Sequence, residues 1–136
     1  MDTTTWNTFD ATTNISLNNG DKVYVRGILS ADNNSSDYTQ FKMSGKIAAS
    51  GNCNSIWNYQ DLNAPLKACC GHGMFSGCTS LNKITCLATQ IDMSGTWNWL
   101  SGVSPSGIFI KSADMNDWPS GVSGIPEGWT VVDYEE

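Results

Sequence analysis

The chain has 136 residues, of which 40% are hydrophobic and 15% charged, with a formal net charge of −6. This length suits one domain, and the acidic balance argues against the basic surface that nucleic-acid binding requires. No apolar run reaches the roughly 20 residues of a membrane helix, so we expect no membrane insertion.

The first 50 residues alternate polar and apolar side chains, as antiparallel strands do. Ile15–Leu17 and Lys22–Arg26 flank the turn sequence Asn18–Asp21, whose Asn and Gly residues tolerate positive φ. This pattern predicts a β-hairpin, and the alternation at 38–43 and 46–49 predicts further strands. We therefore expect an N-terminal antiparallel β unit over residues 1–60.

The segment Asp32–Asp37 is the most polar run in the chain and is expected to be an exposed loop. Its oxygen-bearing side chains leave a weak calcium site as the alternative interpretation. The segment lacks the glycine and the closing glutamate of an EF-hand.

A degraded repeat organises the second half of the chain. Met74–Cys86 returns as Trp99–Ile110, with Ser76-Gly77 and Ser101-Gly102 separated by 25 residues. Self-similarity at this period is typical of leucine-rich-repeat solenoids, in which each unit adds one short strand to a parallel sheet.

The repeat also predicts which side chains face inward. With one residue deleted before Ile108, Ile84 and Cys86 align with Ile108 and Ile110, so these four are expected in the core. Alternation along each strand then points the neighbouring side chains onto the open face of the sheet. Those neighbours are Lys83 and Thr85 in the first strand and Phe109 and Lys111 in the second.

The C-terminal stretch predicts a last strand at Trp129–Val132, and a final layer that Trp118, Ile125 and Trp129 cover. The predicted fold class is therefore a β-rich α+β fold. An N-terminal antiparallel β unit (1–60) precedes a short leucine-rich-repeat solenoid of about two units with a C-terminal cap strand (61–136). The two parts are expected to form one continuous compact domain.

Several segments resemble the BspA-type leucine-rich-repeat proteins of gut Bacteroides and related bacteria. The similar segments are Asn19–Gly27, Phe41–Gly45, Gly73–Leu81, Trp99–Val103 and Gly124–Val131. The resemblance implies a cell-surface or secreted protein that binds a host glycan or protein. It implies no enzyme activity and no cofactor. Long members of that family stack many repeats, whereas this chain has one clear and one degraded repeat.

The N-terminus lacks the basic and apolar regions of a signal peptide. We therefore expect a mature form or fragment of an exported protein, which in its full-length form could be lipid-anchored.

The five cysteines and the single histidine are the nearest approach to reactive chemistry. Cys78 aligns with Val103 and Cys86 with Ile110, which favours reduced cysteines in the core. One disulfide, pairing Cys53 with Cys69 or Cys70, and a metal site including His72 are the alternatives. A Cys70–His72 nucleophile pair lacks any third group to orient it, so no catalytic or metal-binding residues are predicted.

Six tryptophans invite a carbohydrate-binding interpretation. Trp99 aligns with Met74 in the repeat and is therefore assigned to the core. Trp97 lies two residues away and cannot share its face of a helical turn, so Trp97 is assigned to the surface. The candidate binding residues are Lys83, Thr85, Trp97, Phe109 and Lys111, although the N-terminal β unit could instead cover Phe109. The predicted function is a non-catalytic binding or adhesion module. The alternative is a structural cap or spacer within a larger surface or phage-tail assembly.

Overall fold

The computed structural model describes residues 6–8, 10, 12–28, 40–92 and 94–136. These residues form one short helix and one three-stranded sheet. Helix α1 spans Asn54–Trp57, and the strands are β1 (Lys83–Cys86), β2 (Gly107–Lys111) and β3 (Trp129–Asp133). The strands pair in chain order and are all parallel. The polar segment 32–37, with its alternative of a calcium site, lies outside the described residues.

The predicted fold class is wrong. The described residues contain neither an antiparallel β unit nor a leucine-rich-repeat solenoid, and the sheet consists of three parallel strands. Among the described residues of 1–60, strand pairing is limited to two isolated bridges, an antiparallel one between Ile28 and Asn58 and a parallel one between Asn52 and Thr85. The predicted last strand is confirmed, since β3 covers Trp129–Asp133.

The predicted N-terminal hairpin forms its turn but not its strands. The Asp21 amide donates to the Asn18 carbonyl at 3.1 Å, and Gly20 has the positive φ of 92° that the turn requires. The flanking segments have no ladder, and Ile15 and Val23 remain 57% and 43% exposed. A two-stranded hairpin is marginal unless another layer covers its apolar face, and none of the described residues buries these side chains.

The two predicted repeats lie against each other through their turns. Four backbone amides of the first repeat donate hydrogen bonds to four carbonyls of the second. The pairs are Gly71 to Gly95 at 2.6 Å, Gly73 to Trp97 at 2.9 Å, Phe75 to Trp99 at 2.9 Å and Gly77 to Ser101 at 2.8 Å. Gly77 and Gly102 both have positive φ, at 80° and 71°, as the predicted Ser-Gly turns require. The sequence repeat therefore corresponds to a repeated backbone contact that holds the turn of one unit on the turn of the next.

A column of aromatic rings fills the core beneath the sheet. Trp99 lies at its centre and is fully buried, with ring centroids 6.3 Å from Trp57 and 5.6 Å from Trp118. Phe109 meets Trp99 edge-on at 6.1 Å. Each of these contacts joins residues far apart in sequence, so the column connects α1, the turns at 94–102, β2 and the segment after β2.

Strand register places one set of side chains in this core. Ile84 pairs with Phe109, and Phe109 with Val131. The pairing of Ile84 with Phe109 keeps the same 25-residue offset as the two Ser-Gly turns, so the deletion placed before Ile108 in the sequence alignment was wrong. The inward positions predicted for β1, Ile84 and Cys86, are confirmed as buried. Those predicted for β2 are displaced by one residue.

Candidate binding surface

The outer side of the sheet carries two cross-strand rows of side chains. One row is Lys83, Ile108 and Thr130, and the other is Thr85, Ile110 and Val132. We call these six residues the open face. Ile108 and Val132 are each 43% exposed. Lys83 and Thr130 are exposed, whereas Thr85 and Ile110 are half-buried.

Phe109 does not belong to the open face. Its side chain is fully buried and lies 5.0 Å from the Trp118 ring, so the prediction that it faces outward is wrong. The alternative from sequence was that the N-terminal β unit covers Phe109. Trp99 and Trp118 lie against it instead. Ile108, the residue before Phe109 in β2, has the exposed side chain instead.

Lys111 is likewise on the inner side of the sheet, at the end of β2. Its ammonium group forms an ion pair with Asp133 on β3 and donates to the Ser112 carbonyl at 3.3 Å. The Lys111 side chain is 13% exposed and Asp133 is 59% exposed. Lys111 therefore joins the ends of β2 and β3 and does not contribute a cation to the open face.

Trp97 is 56% exposed and Trp99 is fully buried. Both predictions are therefore confirmed. Trp97 lies among the turns at 94–102, and its carbonyl accepts a hydrogen bond from the Gly73 amide at 2.9 Å. The structure thus keeps Lys83 and Thr85 together on the sheet and places Trp97 on a different element. Whether any of the three binds a ligand stays a prediction.

A concave surface, separate from the open face, lies at the end of the sheet next to β3. Its cavity has a volume of about 340 Å³. It is lined by Lys111, Trp118, Pro119, Ile125, Glu127 and Val131, among others. Val131 points to the inner side of the sheet but is 45% exposed, because the described chain supplies no further layer beyond β3. The indole Nε1 of Trp118 is buried and has no hydrogen-bond partner among the described residues. We call this feature the end cavity.

The cysteines are free, and four of the five are buried. Burial raises the pKa of the Cys78 thiol, which lies 3.3 Å from the Phe41 carbonyl. Burial, with a smaller contribution from Cys86, raises the pKa of Cys70 to about 12. Such thiols stay protonated at neutral pH and behave as small apolar side chains. Among the described residues, no group of three His, Cys, Asp or Glu side chains is arranged to hold a metal ion.

The open-face residues that the sequence analysis missed are Ile108, Ile110, Thr130 and Val132. Ile108 and Ile110 were assigned to the core because isoleucine at alternating positions usually marks a buried face. The usable signal was the undisturbed 25-residue offset, which aligns Phe109 with Ile84 without a deletion. Thr130 and Val132 lie in β3. The sequence predicted this strand but did not predict which of its side chains point outward.

Comparison with known proteins identifies no relative: no family model matches the chain, and neither curated proteins nor solved structures yield a match. Within the described ranges, no helix has both the length and the apolar character needed to cross a bilayer.

Proposed function

We propose that the protein is a non-catalytic binding module whose open face recognises a partner protein. The observation that carries this proposal is the exposure of Ile108 and Val132, at 43% each, on adjacent strands of one sheet. Exposed branched apolar side chains flanked by a lysine and a threonine are a composition that protein-binding surfaces use. The setting that we propose, a cell surface or the extracellular space, rests on the family resemblance described above.

A protein partner is favoured over a glycan because of where Phe109 lies. Sugar recognition from this face depended on an exposed aromatic ring between two cations. Phe109 is buried in the core and Lys111 is paired with Asp133. Isoleucine and valine at the centre of the face gain free energy from burying apolar area, at roughly 25 cal/mol per Å². Apolar protein side chains offer that area and hydroxyl-rich sugars offer little of it.

The test compares binding by the wild type and by matched surface variants. Ile108→Asp and Val132→Asp place a carboxylate on the open face, whereas Val122→Asp places one at a 45% exposed position away from the sheet. We expect binding to an array of purified host extracellular proteins to be lost in the first two variants and kept in the third. Circular dichroism establishes that each variant is folded.

Two results would contradict the proposal. Binding that survives both open-face substitutions would place the recognition surface elsewhere. Binding to a glycan array with no protein ligand, especially if Trp97→Ala abolishes it, would assign a carbohydrate ligand to the turns at 94–102.

The second candidate function is a structural spacer within a larger assembly. It is favoured by the end of the sheet, where β3 is the last described strand and Val131 is 45% exposed on the inner side. An exposed strand edge presents unpaired backbone N–H and C=O groups with which a strand of another chain pairs. If this function holds, Val131→Lys blocks assembly measured by light scattering of the purified chain, while Ile108→Asp leaves it unchanged.

A further inference from the structure

Cys53 and Cys86 are neighbours across a short parallel contact at the edge of β1. Asn52 and Thr85 form a parallel bridge, and the Cys53 amide donates to the Thr85 carbonyl at 2.7 Å. The next residues in this register are Cys53 and Cys86. Both side chains lie in the core, where they are 6% and 0% exposed, and the Cys86 side chain lies within hydrogen-bonding reach of the Cys53 thiol.

The backbone around Cys53 is fixed by the Asn52 side chain. Asn52 Oδ1 accepts from the amides of Asn54 at 3.1 Å and Leu87 at 3.2 Å, and Nδ2 donates to the Leu62 carbonyl at 2.8 Å. Adjacent strands lie about 4.8 Å apart. Disulfides join residues whose Cα atoms are roughly 4.4–6.8 Å apart. The backbone spacing across the Asn52–Thr85 bridge, which the two cysteines directly follow, therefore falls within the range that a disulfide spans.

We propose that Cys53 and Cys86 are a disulfide-forming site, oxidised by a low-molecular-weight disulfide such as oxidised glutathione. One cysteine thiolate attacks the reagent, forming a mixed disulfide and releasing one reagent thiolate. The second cysteine thiolate then attacks the protein sulfur of that mixed disulfide and releases the other reagent thiolate. Two cysteine thiols are oxidised, one reagent disulfide is reduced to two thiols, and the two cysteine protons pass to them.

The folded protein makes this reaction slow once both thiols are buried. Burial, followed by the interactions with Cys86 and Cys70, raises the pKa of Cys53 well above its ordinary value. Because the thiolate is the attacking species, the bond forms during folding, before the core closes. Cys70 is the competing partner, since it lies close enough to Cys86 to interact with it electrostatically.

Trypsin distinguishes the possible partners cleanly. Cleavage after Lys46, Lys67, Lys83 and Lys111 places Cys53 in peptide 47–67, Cys86 in peptide 84–111, and Cys69, Cys70 and Cys78 together in peptide 68–83. The full chain is refolded from denaturant in a glutathione redox buffer. Free thiols are then blocked with iodoacetamide, and the protein is digested without reductant and examined by mass spectrometry.

We expect peptides 47–67 and 84–111 to be linked, and the link to persist in Cys70→Ala. We also expect the midpoint of thermal unfolding to be higher by roughly 10 °C in the oxidised than in the reduced wild type. A link from 47–67 to 68–83, or no linked peptides in the refolded chain, would overturn the proposal. Cys69→Ser is the matched control and should leave the 47–67 to 84–111 link intact.

Discussion

Phe109 lies edge-on against Trp118, with ring centroids 5.0 Å apart and ring planes inclined at 67°. This contact fixes the facing of β2, since Phe109 cannot reach Trp118 unless Ile108 and Ile110 turn outward. The same contact joins the middle strand to the segment that follows it. The composition of the proposed binding surface is therefore set by an interaction on the opposite side of the sheet.

The Phe109→Ala variant should lose stability and not merely a surface contact. Removing a fully buried phenylalanine leaves a cavity among Trp99 and Trp118 and should cost about 3–5 kcal/mol of unfolding free energy. Urea denaturation provides the measurement. The control is Ile108→Ala on the same strand, which should cost about 1 kcal/mol or less because that side chain is 43% exposed. Equal losses in both variants would contradict the register described here.

Trp99 and Trp118 should respond differently to replacement by phenylalanine. The Trp99 indole Nε1 donates to the Gly124 carbonyl at 2.8 Å, whereas the buried Nε1 of Trp118 finds no acceptor within the part of the chain that the structure describes. Trp99→Phe breaks a buried hydrogen bond and should cost about 1–3 kcal/mol more than Trp118→Phe. Chemical denaturation of the two variants measures the difference. A larger loss in Trp118→Phe would show that the Gly124 hydrogen bond contributes little.

Gly107 should not tolerate even a methyl group. A Cβ atom there would lie 2.5 Å from the Asn82 carbonyl oxygen and 2.7 Å from Cε2 of Trp129. Gly107→Ala therefore forces β2 away from its neighbours and should cost about 1–3 kcal/mol. Thermal unfolding is the measurement, with the exposed Ser106→Ala as the control. Unchanged stability in Gly107→Ala would mean that β2 can shift without loss.

The reduced protein should become less stable as pH rises from about 9 toward 12. Cys70 has an ordinary pKa of 9.0 that burial raises to about 12, and burial also raises the pKa of Cys53. Above pH 9 the unfolded chain releases these protons while the folded chain retains them, so the stabilisation present below pH 9 is progressively lost. Each such thiol contributes a loss of about 1.4 kcal/mol per pH unit within this window.

Urea denaturation in the presence of a phosphine reductant, at pH 8, 9 and 10, measures this loss. Tyrosine and lysine side chains titrate in the same range, so Cys70→Ala is the necessary control and should show a shallower decline. Identical slopes in the wild type and Cys70→Ala would exclude a contribution from the Cys70 thiol.

Local sequence patterns predicted best those features that depend on the backbone conformation of a few consecutive residues. The positive φ at Gly20, Gly77 and Gly102 follows from turn chemistry alone, and β3 follows from a short β-branched run after a turn. The exposure of Trp97 followed from its two-residue spacing from Trp99. These features depend on neighbours within a few residues.

A local sequence pattern could not predict to which side of the sheet each β2 side chain points. Ile108, Phe109 and Ile110 are all apolar, so alternation does not distinguish the two sides of the strand. The choice depends on Trp118 and Trp99, which approach from other elements. The N-terminal hairpin failed for a related reason. Its polar–apolar alternation is typical of a strand, but no described layer covers Ile15 or Val23. Local propensity alone, without such a tertiary contact, did not produce strand pairing.

The aromatic column also gives the protein a built-in optical reporter. The rings of Trp99 and Trp118 are stacked with their planes nearly parallel, inclined at 2°, and the ring centroids of Trp57 and Trp99 are 6.3 Å apart. Indoles this close couple their electronic transitions and exchange excitation energy, whereas the exposed Trp97 emits from a polar environment. Near-ultraviolet circular dichroism therefore follows the assembly of the column. Because Trp6 is also 44% exposed, fluorescence quenching by iodide follows the turns at 94–102 in the Trp6→Phe variant. The two signals can separate loss of the core from movement at the surface without any added label.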